Sequence, residues 1–340
     1  MNIPTKVPRI SLARLPTPLQ LMERLSKELN GPRIWIKRDD LTESAAAGNK
    51  LRKLEFSIAQ AIEQKSTVLI TAGGIQSNHC RATAIMAAKL GLKCHLILRG
   101  HKPDPASGDY ADGNLLLDNL TGAAISFVSG KEFDDIDATA EKISADYRTK
   151  GDITFFIPTG ASDEIGLWGY IECARELKED FARYKIKPGY VISAAGSGGT
   201  MAGLVLGNYL YDLNSNIMAY NVARDADWFE QKIRSDISKW QQRYDKSGAP
   251  ALDLDINIID GYVGPGYAQA DQHVYDTISR LARTEGMFFD PVYTGKAFDA
   301  MLQEYAQGRF NDAEDIVFIH TGGIYGLFPQ RAKFNATPET

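Results

Sequence analysis

From residue 66 onward the chain alternates short apolar runs with segments of helix length, and this alternation limits the possible folds more than any other feature. Residues 67–72, 93–98, 124–128 and 153–157 read as strands in the first half, and 190–195, 217–222, 287–290 and 315–319 in the second. Between them, 78–90, 113–120, 132–149, 164–183, the segment after 200, 268–285 and 295–306 read as helices. The stretch 224–250 is polar and helical, with a flexible end expected near 245–250. Buried strands separated by helices of this length imply parallel pairing with right-handed crossovers. Upstream, residues 1–44 begin irregularly, with a turn at Pro16-Thr17-Pro18, a helix over 19–29 and a strand over 33–38 that stops at Asp39-Asp40. The expected class is α/β, with open parallel sheets flanked by helices. The 340 residues suffice for two lobes. We expect a large one from 1–51 and 163–340, with a smaller one, 52–162, inserted into it.

Within that frame residues 45–55 stand apart. Small residues lead to Gly48-Asn49-Lys50, after which Leu51, Leu54, Ile58 and Ile62 recur at helical spacing as one apolar face. Lys50 therefore sits at a helix N-terminus, with Arg52 and Lys53 beside it. Dipole and like charges both disfavour its protonated form and make it a candidate nucleophile for a carbonyl group. The bland reading, a solvated surface lysine, is the commoner case for any single lysine.

Four polar turns follow predicted strands. Gly196-Ser197-Gly198-Gly199-Thr200 joins a strand to a helix, where free N–H groups and the helix dipole suit a phosphate. The dinucleotide fingerprint fails at Met201, and no lysine follows the last glycine as a P-loop requires. Gln76-Ser77-Asn78-His79 offers a hydroxyl, amides and helix N–H groups suited to a carboxylate, although Ser77 or Asn78 could be a plain helix cap. Near the C-terminus come Asp290-Pro291-Val292-Tyr293-Thr294-Gly295 and His320-Thr321-Gly322-Gly323, preceded by Pro265-Gly266-Tyr267, which follows no predicted strand. Tyr293 and Thr321 each fall just past a predicted strand, the edge where open α/β sheets bind ligands.

Composition removes several classes. A net charge of −5 and a pI near 5.6 argue against nucleic acid as a main partner. No apolar run approaches the roughly 18 residues of a membrane span, and the start lacks a secretory h-region, so we expect a cytoplasmic protein. Cys80, Cys94 and Cys173 are odd in number and far apart, which suggests reduced thiols. The five histidines show no ligand spacing, and no metal is expected.

Taken together, Ala47-Gly48-Asn49-Lys50, Arg52-Lys53-Leu54-Glu55, Gly74-Ile75-Gln76-Ser77-Asn78-His79, Gly196–Thr200, Asp290–Lys296 and His320–Gly323 resemble the D-cysteine desulfhydrase / 1-aminocyclopropane-1-carboxylate (ACC) deaminase family. The match runs in order from about residue 10 to 328. These are pyridoxal 5′-phosphate (PLP) enzymes of the tryptophan-synthase-β type, fold type II, and stretches such as 75–83 and 113–118 look closest to the plant-type desulfhydrase branch. The resemblance implies a homodimer in which Lys50 carries PLP and later moves the substrate Cα proton. It implies that Asn78 bonds the cofactor 3′-oxygen and that residues 196–200 hold its phosphate. Ser77, with Gln76, Asn78 and His79 around it, would take the substrate carboxylate. Tyr267 and Tyr293 would flank ring and substrate, and Thr321 would face the ring nitrogen with Thr294 beside it. ACC deaminases carry glutamate and leucine at the positions of Thr294 and Thr321. A neutral hydroxyl there suits loss of a good leaving group from Cβ better than cyclopropane opening. D-cysteine converted to pyruvate, hydrogen sulfide and ammonia is therefore the leading reading. L-cysteate, β-chloroalanine and ACC are alternative substrates. A binding protein without turnover and an NAD-dependent oxidoreductase are readings from other classes. Ala47 departs from the usual pattern, where glycine or serine precedes Gly-Asn-Lys.

Overall fold

A computed structural model describes residues 7–104, 112–247 and 249–334. Its strands form two sheets. The larger has six strands: β1 (Leu19–Leu21), β2 (Arg33–Lys37), β7 (Tyr190–Ala195), β8 (Asn216–Asn221), β9 (Asn257–Ile259) and β10 (Asp315–Ile319). Their order is β1-β2-β10-β7-β8-β9, and only β1 runs antiparallel to its neighbour. The smaller sheet contains β3 (Val68–Gly74), β4 (Lys93–Arg99), β5 (Ala124–Val128) and β6 (Thr154–Ile157), ordered β5-β4-β3-β6 and wholly parallel.

Strand periodicity explains why both sheets are covered on two faces. In β10, Val317 and Ile319 join one core while Ile316 and Phe318 join the core on the opposite face. The first of these cores holds α7 (Trp168–Tyr184), α8 (Gly199–Tyr211) and α9 (Ala226–Tyr244). The second holds α1 (Glu23–Leu29), α10 (Gln272–Glu285) and α11 (Thr294–Ala306). Around the smaller sheet, Leu69, Leu96 and Leu98 pack under α2 (Asn49–Glu63), α3 (Asn78–Leu90) and α4 (Gly113–Leu120). Val68, Ile70 and Ile97 face Ala140 of α6 (Ile136–Arg148), which follows the short helix α5 (Gly130–Asp134).

The contact between α7 and α8 is close because glycines line it. A Cβ on Gly203 would lie 2.5 Å from the Tyr170 Cβ, and one on Gly207 would lie 2.4 Å from the Ala174 Cβ. Both helices are regular there, so neither backbone can yield locally. Gly203→Ala is expected to destabilise the protein by about 1–3 kcal/mol through overpacking. Calorimetry checks this, and an unchanged melting temperature contradicts it.

The structure departs from the sequence expectations at several elements. Residues 287–290 form no strand: Met287 and Phe289 are buried and Phe288 is 54% exposed, so the alternation is a burial pattern without pairing. The helix expected over 19–29 is split, because Leu19–Leu21 pairs with Trp35–Lys37 and α1 begins at Glu23. The helix expected over 132–149 breaks at Asp135, and the one expected from 164 begins at Trp168. Strand β9 was not expected. Helix α9 ends at Tyr244, and part of the loose end expected near 245–250 lies outside the described residues, as do residues 1–6 of the irregular start. Ile62 is 44% exposed and so falls off the buried face formed by Leu51, Leu54 and Ile58. All three cysteines are buried and free. Among the described residues no helix is long and apolar enough to cross a membrane.

Candidate active site

A cavity of about 370 Å³ opens where the C-terminal ends of both sheets converge. Gly73 and Gly74 end β3, Arg99 ends β4, and Thr159 and Gly160 follow β6. From the larger sheet come Gly196, Ser197 and Gly198 after β7, Ala223 and Arg224 after β8, and Thr321 and Gly322 after β10. Parallel strands all point their carboxyl ends the same way, so loops far apart in sequence meet here.

Lys50 enters this cavity from the first turn of α2. The preceding Gly48 has φ +115°, and a Cβ there would stand 2.7 Å from the Thr321 carbonyl oxygen. Only glycine lets the two loops touch. The contact is then fastened: Asn49 N–H donates to Thr321 O at 3.1 Å, and Gly48 N–H donates to Thr42 Oγ1 at 2.9 Å. Lys50 Nζ donates to Asn49 Oδ1 at 3.0 Å, while Asn49 Nδ2 donates to Thr200 Oγ1 at 3.0 Å. One amide thus joins the lysine to the glycine turn across the cavity floor.

Burial pulls Lys50 down to about 8, with the Arg81 charge adding to the effect and Asp290 opposing it. Burial is the main cause, and of the expected neighbours Arg52 takes no part. Arg52 turns away into a buried cluster, where it donates to Asp39 at 2.8 Å and to Glu176 at 2.9 Å. Lys53 is buried, held well below its ordinary value by burial and then by Lys50, and donates to Gly160 O at 3.3 Å. A sizeable fraction of Lys50 is therefore neutral near pH 7 to 8, the form that attacks a carbonyl. In cofactor-free protein, an amine-directed reagent should label Lys50 with a midpoint near pH 8, since only the deprotonated amine reacts. A midpoint near the roughly 10.4 of an ordinary lysine contradicts this.

Opposite the lysine lies the glycine turn. Gly196 sits against the Tyr293 ring, which a Cβ would meet at 2.7 Å, and Gly198 has φ +86°. Gly199 N–H donates to Ser162 Oγ at 3.2 Å and does not line the cavity. Among the described residues the N–H groups of Ser197, Gly198, Thr200 and Met201 have no protein acceptor, and they stand at the N-terminus of α8, a site that favours an anion. An electrophilic lysine partner and a phosphate can thus be held at opposite ends of one cavity, and these residues fit PLP.

Ser77 and Asn78 line the cavity at the start of α3. Ser77 is also the helix cap, its Oγ accepting from Cys80 N–H at 3.2 Å, so both readings of this residue hold in one geometry. His79 lines the cavity too, but Thr71 Oγ1 already donates to Ile157 O and so accepts from His79 Nε2 at 2.7 Å. Burial holds its imidazole well below the ordinary value, and it is neutral. Gln76 is not a wall residue; its amide bridges Asn114 N–H at 2.7 Å and Asp112 O at 3.2 Å. Tyr267 and Tyr293 line one side with their hydroxyls hydrogen-bonded to each other and their rings 5.9 Å apart. Burial and the Tyr267 hydroxyl push the Tyr293 phenol well above its ordinary value, so it stays protonated.

The two threonines separate. Thr321 reaches the cavity, whereas Thr294 is fully buried outside it and donates to Asp290 Oδ1 at 2.7 Å. Asp290 in turn accepts three backbone N–H groups, from Val292, Tyr293 and Thr294, at 2.8–2.9 Å. This knot orients Tyr293 at the head of α11. Sequence reading gave no role to Asn49, Gly160, Ala223 or Arg224, although the strand-end rule that marked Tyr293 and Thr321 applies equally after β6 and β8. Among the described residues no cluster of three metal-ligating side chains exists.

The profile of the family described as "Pyridoxal-phosphate dependent enzyme" matches residues 10–322. The D-cysteine desulfhydrase of Salmonella choleraesuis is 40% identical over 324 residues, covering 95% of this chain and 96% of that protein. The mitochondrial bifunctional D-cysteine desulfhydrase/1-aminocyclopropane-1-carboxylate deaminase of Arabidopsis thaliana is 38% identical over 323 residues, covering 94% and 79%. Among solved structures, an ACC deaminase homologue superposes with a TM-score of 0.86 at 33% identity, over 96% of this chain and 95% of the other.

Proposed function

The chain belongs to the pyridoxal-phosphate-dependent enzyme family, with that cofactor and the fold type II architecture, and we propose that it is a lyase that eliminates sulfide from D-cysteine. The reaction consumes D-cysteine and water and releases pyruvate, hydrogen sulfide and ammonia. The observation that carries this choice is Thr321, a neutral residue, on the cavity wall, with Thr294 turned away to Asp290. Two of the relatives reported above also bear the name D-cysteine desulfhydrase.

When bound, the cofactor supplies an electron sink for negative charge at the substrate Cα. The chain's own residues do the rest. Lys50, neutral in large part near pH 8, holds the cofactor and then takes the Cα proton. The turn of Gly196, Ser197, Gly198 and Thr200 anchors the phosphate with N–H groups at the head of α8, while Gly199 N–H ties the turn to Ser162. Ser77 and the first turn of α3 bind the substrate carboxylate, which turns the Cα–H bond toward the lysine. The Tyr267–Tyr293 pair, set against Gly74 and Gly196, closes another side and holds a proton for the leaving group. Cavity walls on both sheets are consistent with two domains, 52–162 and the remainder. We take the working form to be a cytoplasmic homodimer, which light scattering tests.

The second reading is ring opening of ACC, favoured by the bifunctional relative. The discriminating experiment gives the purified enzyme D-cysteine, L-cysteate, β-chloroalanine and ACC in parallel. D-cysteine should have the highest kcat/KM, with pyruvate and sulfide in equal amounts. α-Ketobutyrate from ACC at comparable efficiency, or preference for cysteate or chloroalanine, would replace the proposed substrate.

A further inference from the structure

Arg81 on α3 is 1% exposed and has no carboxylate within ion-pair distance among the described residues. Its guanidinium instead joins four segments. Its terminal nitrogens donate to Asn78 Oδ1 at 2.9 Å, Asn114 Oδ1 at 2.5 Å and Ala47 O at 2.7 Å, and the Tyr325 ring lies 4.7 Å from its Cζ. Arg81 does not line the Lys50 cavity; it lines a second space, of about 360 Å³, behind Ala47 and Gly322.

A guanidinium has five donors and no acceptor, so an amide facing it must present its oxygen. The Asn78 side chain therefore has only one orientation. Its oxygen is taken by Arg81, and its Nδ2 donors are left toward the cavity that Asn78 lines. Asn114 is locked in the same sense: Oδ1 faces Arg81, and Nδ2 donates to the Gln76 carbonyl at 2.9 Å. The same arginine grips Ala47, three residues before Lys50, so the lysine loop and the asparagine are set by one group.

We propose that Arg81 is a positioning residue that holds Asn78 with its amide donors facing the cavity, so that the site offers hydrogens to an anionic oxygen of the bound cofactor. This rests on the cofactor reading above. The Arg81 charge also lowers the basicity of Lys50, a second route by which it prepares the site.

The test is a double-mutant cycle on cofactor affinity, read by fluorescence and visible absorbance as PLP is added to cofactor-free protein. Arg81→Met should weaken PLP binding by about 10–100-fold, as expected for a buried amide freed to turn its oxygen inward. Arg81→Lys should recover part of that loss and keep the wild-type absorbance maximum more closely. In an Asn78→Ala background, Arg81→Met should have little further effect on affinity. Fully additive losses, or unchanged binding in both single variants, would overturn the proposal. Should Arg81→Met fail to fold, the same cycle run with Arg81→Lys decides, since coupling to Asn78 is expected there too. Wild-type protein that ignores PLP would instead refute the cofactor reading, and this inference with it.

Discussion

Lys50→Ala is expected to lower pyruvate and sulfide release by about 10³-fold or more, because two functions are lost together. The variant has no amine at the cavity floor to hold the cofactor, and no base beside the substrate Cα. Neighbouring lysines cannot substitute. Lys53 is buried and its Nζ donates to Gly160 O, and Lys296 donates to Val263 O at 2.6 Å and Gly266 O at 2.8 Å. The fold should survive the change, since among the described residues Lys50 makes only one hydrogen bond and burial already disfavours its charge. A variant with normal melting behaviour that turns over within tenfold of wild type would remove Lys50 from the mechanism.

Asp39→Ala should produce the largest loss of stability. Asp39 is fully buried and accepts from Arg52 twice at 2.8 Å, from Thr17 Oγ1 at 2.8 Å and from Tyr170 at 2.6 Å. Next to it Glu176 binds Arg52, and Lys37 binds Glu176 at 3.1 Å and Asp180 at 2.7 Å. Together these groups tie α2, which carries Lys50, to α7 and β2. Removing one carboxylate leaves an arginine short of charge and a phenol without an acceptor, a loss of about 3–5 kcal/mol. Denaturant unfolding measures it, and a loss below about 1 kcal/mol would contradict this account of the cluster. Burial would raise the Asp39 carboxyl, but Arg52 and Tyr170 outweigh it and hold the group below its ordinary value; Glu176 is lowered in the same way by Arg52 and Lys37. Both carboxylates therefore add stability above the ordinary carboxylate range, and that stability is lost as pH falls through their depressed values.

Much of this was legible because the relevant signals are local. The helices over 78–90 and 113–120 and the strands over 124–128, 190–195 and 315–319 begin and end where apolar periodicity, caps and glycines place them. The glycine turn and Lys50 were legible for the same reason: both stand where a strand or loop becomes a helix. What was not legible depends on long-range partners. Strand β1 exists because β2 lies beside it, and its three residues carry no pattern of their own. Residues 287–290 alternate like a strand because Phe289 fills a core, not because a neighbour pairs with them. The lowered basicity of Lys50 was expected from Arg52 and Lys53, adjacent in sequence, yet its main cause is burial, to which the charge of Arg81, thirty-one positions away on another helix, adds. Thr294 looked equivalent to Thr321 in sequence, but the Asp290 knot turns its hydroxyl out of the cavity.

The most direct measurement is to trap the cofactor on the protein. Purified enzyme loaded with PLP is reduced with borohydride, digested and mapped by mass spectrometry. The account predicts one pyridoxyl group, on Lys50. A group on Lys53 or Lys296, or none on any lysine of a protein that binds PLP, would contradict it.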